Sequence, residues 1–122
     1  MKATDGRRAK RAADNLRALL VEALRRDIQD PRLAALVVTG VALGDDLALA
    51  RVSVRLLVGD DDAQRRSAAL ACLKGVARRL RRELAPKLGM RRMPELRFEY
   101  DAGHDAERRV HDLLDEIARE RR

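Results

Sequence analysis

Leu36-Val37-Val38-Thr39-Gly40-Val41, then Gly44-Asp45-Asp46, then Leu47 to Val58 (LALARVSVRLLV) decide how this chain folds. Two apolar, β-branched runs flank a stretch of turn-forming residues, the pattern of two antiparallel strands. Within the second run Ala50, Val52, Val54 and Leu56 alternate with Arg51, Ser53 and Arg55. One face of the sheet is therefore covered, and the other meets solvent or a partner.

What covers the sheet is found on either side of the strands. Upstream, Leu16, Leu19, Leu20, Leu24 and Ile28 recur every three or four positions, with Arg17, Glu22, Arg25 and Arg26 between them. This spacing predicts an amphipathic helix from about Asp14 to Ile28. Asp30-Pro31 stops it, because the residue before a proline is pushed away from helical angles. Downstream, Gly59-Asp60-Asp61-Asp62 breaks the strand and sets three carboxylates where a helix N-terminus carries partial positive charge. The helix expected there packs Leu70, Leu73, Ala77, Leu80 and Leu84 and ends at Pro86, with Gly75 marking a bend. Leu96-Arg97-Phe98-Glu99-Tyr100 alternates as a third strand, with Phe98 and Tyr100 buried on one face. From Asp105 to about Arg119 a last helix packs Val110, Leu113, Leu114 and Ile117, and its Arg-rich end compensates the helix dipole. The result is an α+β domain, ordered helix, strand, strand, helix, strand, helix, with the helices on one face of a three-stranded sheet. Residues 1–12 read as a basic flexible N-terminal arm and 13–120 as the single domain.

A chain of 122 residues has room for one core. Cys72 is its only cysteine, so no internal disulfide forms, and its neighbours Ala69, Leu70 and Leu73 make it a small buried hydrophobe. Met1 to Arg11 is basic and lacks the apolar run of a signal peptide, and no stretch is long and apolar enough to span a bilayer. These features together predict a cytoplasmic protein.

The formal charge is +7, from 27 Lys and Arg against 20 Asp and Glu, and Arg greatly outnumbers Lys. Between Lys74 and Arg92 stand eight basic residues, Lys74, Arg78, Arg79, Arg81, Arg82, Lys87, Arg91 and Arg92, and one acid, Glu83. Outside that segment acids and bases are equal in number, so the whole net charge sits there. A second cluster, Arg7, Arg8, Lys10 and Arg11, is offset elsewhere in the chain; its Arg7, Arg8 and Arg11, with the eight basic residues between Lys74 and Arg92, are the expected RNA-binding residues. On a regular helix, at about 100° per residue, Lys74, Arg78, Arg81 and Arg82 share one arc away from the leucine stripe. A merely solvated helix face carries interspersed acids, whereas this ridge has almost none, which points to phosphate contact. Phe98 and Tyr100 are the only aromatics, so the stacking platforms of single-strand readers are missing. Binding is then expected to rest on phosphates and on the shape of a folded nucleic acid.

No catalytic apparatus is legible. His104 and His111, with one cysteine elsewhere, make no recognisable metal site. Ser53 and Ser67 lie in regular elements without a plausible His and Asp partner, and no glycine-rich phosphate loop is present. Asp45, Asp46, Asp60, Asp61 and Asp62 read as turn and helix-start residues. No cofactor, metal or small-molecule substrate is implied. Three rivals stay open: a generic double-stranded nucleic-acid binder, a small Mg²⁺-dependent nuclease built on the acidic turn, and a protein-interaction module whose ridge meets an acidic partner.

Asp30-Pro31-Arg32, Val37-Val38-Thr39-Gly40-Val41, Asp46 to Val54 (DLALARVSV) and Met93 to Asp101 (MPELRFEYD) resemble the ribosome-binding factor A family in sequence and order. The likeness runs from about Arg8 to Ile117 and includes Arg108-Arg109-Val110 and Leu113-Leu114. It implies a KH-like fold of the second type, in which a kinked pair of helices replaces the helix, loop and helix with its GxxG clamp; this chain has no GxxG. Two places are open for the kink, Leu73-Lys74-Gly75 and Val76-Ala77-Arg78. The resemblance further implies a monomer that binds the immature small ribosomal subunit, contacts its ribosomal RNA, helps the RNA ends mature, serves growth at low temperature, and leaves the mature subunit.

Overall fold

The computed structural model describes residues 2–27, 29–44, 46–57, 63–101, 114 and 116–120. Helix α1 spans Lys2–Asp27, and a 3₁₀ turn follows at Pro31–Leu33. Strands β1 (Leu36–Leu43) and β2 (Leu49–Leu56) come next, then helix α2 (Ala63–Leu88) and strand β3 (Glu95–Tyr100). Residues 114 and 116–120 are helical.

Helix α1 starts about three turns before the leucine spacing begins. Ala9 and Ala13 are buried in line with Leu16, Leu20 and Ala23, so alanines extend the apolar stripe where no leucine marks it. Alanine is also the best helix former, which lets residues 2–12 continue the helix. The boundary expected at residue 12 falls inside α1, and Arg7, Arg8 and Arg11 ride on a helix. Beyond α1, Asp30 caps the 3₁₀ turn, its carboxylate accepting the Arg32 amide at 2.9 Å and the Arg32 guanidinium at 2.8 and 3.0 Å. The Arg32 side chain holds the Asp30 carboxyl well below the usual carboxylate range.

The sheet order is β1-β2-β3, with β1 antiparallel and β3 parallel to the central β2. Val38 faces Val54 and Val41 faces Val52, and a bulge between Val38 and Gly40 inserts Thr39. Ala50, Val52, Val54 and Leu56 are buried, as the alternation in β2 demands. They lie beneath both helices, and Leu16, Leu20, Leu73, Leu80 and Leu84 complete the core with Val38 and Leu96. Each fully buried leucine contributes about 1.5–3 kcal/mol of transfer free energy. Cys72 is buried, and desolvation pushes its thiol pKa up.

Three expectations are corrected. Pro86 does not end α2, which continues to Leu88; the proline removes one intrahelical hydrogen bond where only two helical residues follow it, and buried Leu88 draws the chain on. Gly89, at φ +66, supplies the left-handed residue that stops the helix. Phe98 and Tyr100 are half-buried, because β3 is an edge strand and α2 covers it incompletely. Phe98 packs on the core, while the Tyr100 hydroxyl accepts the Leu56 amide at 3.1 Å and the Arg66 guanidinium lies 4.3 Å over its ring. Leu114 and Ile117 are 55% and 40% exposed and do not pack inward, because no described element covers them. Val110 and Leu113 lie outside the described residues, as do Gly59 to Asp62.

Gly75 sits within the unbroken helix α2, exposed, and a Cβ built on it meets nothing within 4 Å. Neither packing nor backbone angle requires glycine there. Gly75→Ala is therefore expected to raise stability by about 1 kcal/mol, read as an increased Tm. A lowered Tm would mean that the helix needs the bend glycine permits.

Candidate nucleic-acid interface

The basic segment sorts into five kinds of residue once it is folded. Lys74, Arg78 and Arg82 are exposed on α2, one helical arc apart from the buried leucines, and none has an ion-pair partner among the described residues. They form the ridge. Arg79 is exposed but spends its charge on Glu83 at 3.1 Å, so the segment's single acid neutralises a residue outside that arc. Lys87 is exposed about half a turn around the helix from the ridge and cannot extend it.

Arg81 does not belong to the ridge, contrary to its place in the helical arc. Its Nε donates to the Pro94 carbonyl at 3.1 Å and a terminal nitrogen donates to the Met93 carbonyl at 3.3 Å. The side chain thus staples α2 to the start of β3 and satisfies two backbone acceptors that the turn leaves open. Helical geometry put Arg81 at the edge of the arc, on the flank of α2 that meets β3, and only the tertiary fold brings the two carbonyls there.

On that same flank a groove of about 430 Å³ runs between α2 and β3. Leu70, Ala77, Leu96 and Phe98 make it apolar, Lys74 from the helix and Arg97 from the strand bring positive charge to it, and Glu95 brings one carboxylate. Arg97 was missed in the sequence, although its place among the outward positions of β3 was the available signal. The sheet's uncovered face is less basic, because Arg51 pairs with Glu99 at 2.8 Å across β2 and β3.

Folding also joins the two basic clusters that the sequence keeps apart. Arg8 of α1 lines a cavity with Arg91 and Arg92, which follow α2. Arg7 and Arg11 are exposed on an adjacent strip of α1. Among the described residues no group of three or more His, Cys, Asp or Glu side chains could hold a metal ion, and no helix is long and apolar enough to cross a membrane. His104, His111, Asp45 and Asp60 to Asp62 fall outside those residues. The Asp46 carboxylate accepts the Ala48 amide at 3.2 Å, a turn role.

The chain's likeness to known proteins agrees with this architecture. A model of the family described as "Ribosome-binding factor A" matches residues 8–114. The factor from Sorangium cellulosum is 48% identical over 111 residues, covering 91% of this chain and 89% of the relative. That from Chromohalobacter salexigens is 37% identical over 110 residues, covering 90% and 83%. Among solved structures, the crystal structure of ribosome-binding factor A from Thermus thermophilus superposes with a TM-score of 0.65 at 30% identity, over 75% of this chain and 94% of that one. The Thermus thermophilus factor as fitted into a cryo-EM map of its 30S complex gives 0.58 at 32% identity, over 72% and 89%. With the motifs, the fold and matches over most of its length in agreement, this chain belongs to the ribosome-binding factor A family.

Proposed function

We propose that this protein is a non-catalytic assembly factor that binds the immature small ribosomal subunit as a monomer, gripping phosphates of its ribosomal RNA with the Lys74, Arg78 and Arg82 ridge. In this role it assists maturation of the RNA ends, acts in the cytoplasm, and departs when the subunit is mature. The observation that carries the reading is the set of exposed cations on α2 that have no acid partner among the described residues, in a chain whose Thermus thermophilus relative has been fitted into a 30S complex. Phosphate contact explains a like-charge cluster that costs repulsion in the free protein and gains counterion release in the bound one. The half-buried aromatics fit recognition of shape over base stacking.

Sedimentation of a lysate tests this directly: the protein is expected with free small subunits and not with translating ribosomes. Incubation of the purified protein with small-subunit RNA and Mg²⁺ is expected to leave the RNA intact. Cleavage that disappears in an Asp60 and Asp61 double substitution would restore the nuclease reading, and equal affinity for duplex DNA at matched salt would favour a generic binder.

A further inference from the structure

We infer that the cavity between the first half of α1, the β1–β2 turn and the segment after α2 is a second phosphate seat, holding an RNA phosphate beyond the end of the ridge. The inference rests on the RNA-binding reading above and adds a site to it. The cavity measures about 480 Å³ and is lined by Arg8, Arg91 and Arg92, with Leu47, Gly89 and Met90 among its walls. Three arginines from segments more than eighty positions apart line it, and Asp46 is the one acid lining it among the described residues. That carboxylate is turned to its own loop by the Ala48 amide. None of the three arginines has a partner among the described residues.

A cation after a helix C-terminus can be held by the helix dipole, which would account for Arg91 and Arg92 without a ligand. It does not account for Arg8, which lies near the positive end of α1 and gains nothing from that dipole. All three are arginines, whose planar fork grips phosphate oxygens in pairs, a geometry lysine lacks. Leu47, in the wall of the cavity, holds φ 58. Left-handed angles at a leucine are strained, and such strain collects at binding sites. From Lys74 to Leu88 the helix advances about 20 Å, the axial distance from the start of the ridge to the segment that lines the cavity.

The test compares Arg8→Ala/Arg91→Ala/Arg92→Ala with the corresponding triple Lys variant, in the full chain. Small subunits, naked small-subunit RNA and inorganic pyrophosphate are the probes. For the Ala triple, affinity for both subunits and naked RNA is expected to fall about tenfold or more, with the log–log salt slope reduced by about 0.7–0.9 for the one phosphate lost. The Lys triple is expected to keep the slope and still lose affinity, because the forks are gone. Pyrophosphate that shifts the Gly89 and Ala48 amide resonances of the wild type, and not of the Ala triple, marks a seat open to free phosphates. Absence of that shift together with the RNA loss marks a seat for backbone phosphate alone. An Ala triple that binds RNA within twofold of wild type overturns the inference, as does a loss confined to subunits, which would assign the cavity to a protein partner. Failure of the functional reading looks different: the ridge variant, too, would then leave RNA binding unchanged.

Discussion

Leu80→Asp is expected to leave no cooperative thermal transition at room temperature. Leu80 is 0% exposed and belongs to the buried cluster that includes Val52 and Val54 of the central strand, Leu73, Leu84 and the α1 leucines. Truncating a buried leucine costs about 2–5 kcal/mol, and enclosing a carboxylate with no cationic or hydrogen-bonding partner adds several more. A domain's whole stability is about 5–15 kcal/mol, so the sum removes most or all of it. The matched control is Leu114→Asp at a 55% exposed position, where a change within about 0.5 kcal/mol is expected. Far-UV circular dichroism melts of the two variants check both. A Leu80→Asp protein melting like wild type would refute the packing of α2 on the sheet.

Replacing Lys74, Arg78 and Arg82 together by Ala is expected to cost about three orders of magnitude in small-subunit affinity at low salt. It should also flatten the log–log salt dependence by about 0.7–0.9 for each phosphate that is no longer neutralised. Stability is expected to hold, because all three side chains are exposed and unpaired among the described residues. Arg81→Ala is the opposite case. It removes the hydrogen bonds to Pro94 and Met93, so a loss of about 1–3 kcal/mol in stability is expected, with little change in the salt slope of the molecules that remain folded. A triple Ala substitution at Arg119, Arg121 and Arg122 removes the same charge as the ridge triple. If long-range attraction alone drew the RNA, both triples would weaken alike; a docked ridge loses far more than the chain's end. Equal losses would sink the site while leaving RNA binding in place.

How much of this was legible without coordinates differs by residue. The alternation of Ala50, Val52, Val54 and Leu56 and the recurrence of Leu73, Leu80 and Leu84 predicted the buried faces correctly, because strand and helix periods are local geometry. The family likeness was equally plain from the ordered motifs, whereas helical spacing grouped Lys74, Arg78, Arg81 and Arg82 in one arc and could not separate Arg81 from the other three. Alanine, by contrast, marks a buried face weakly, so the first half of α1 was hidden in a stretch that reads as polar.

The amino-acid sequence by itself thus determined the elements, the sheet's covered face, the family, and the concentration of charge in one segment, all of which depend on neighbours a few positions apart. Only the tertiary structure decided which charges are available. Arg81 is taken by carbonyls 12 and 13 positions away, and Arg51 by Glu99 across the sheet. The same folding set Arg8 beside Arg91 and Arg92 and placed Arg97 along the α2–β3 groove. The physical reason is range: periodicity reports which way a side chain points from its own element. Whether that side chain meets a carbonyl, a carboxylate or open solvent depends on a second element that the chain brings up from a distance.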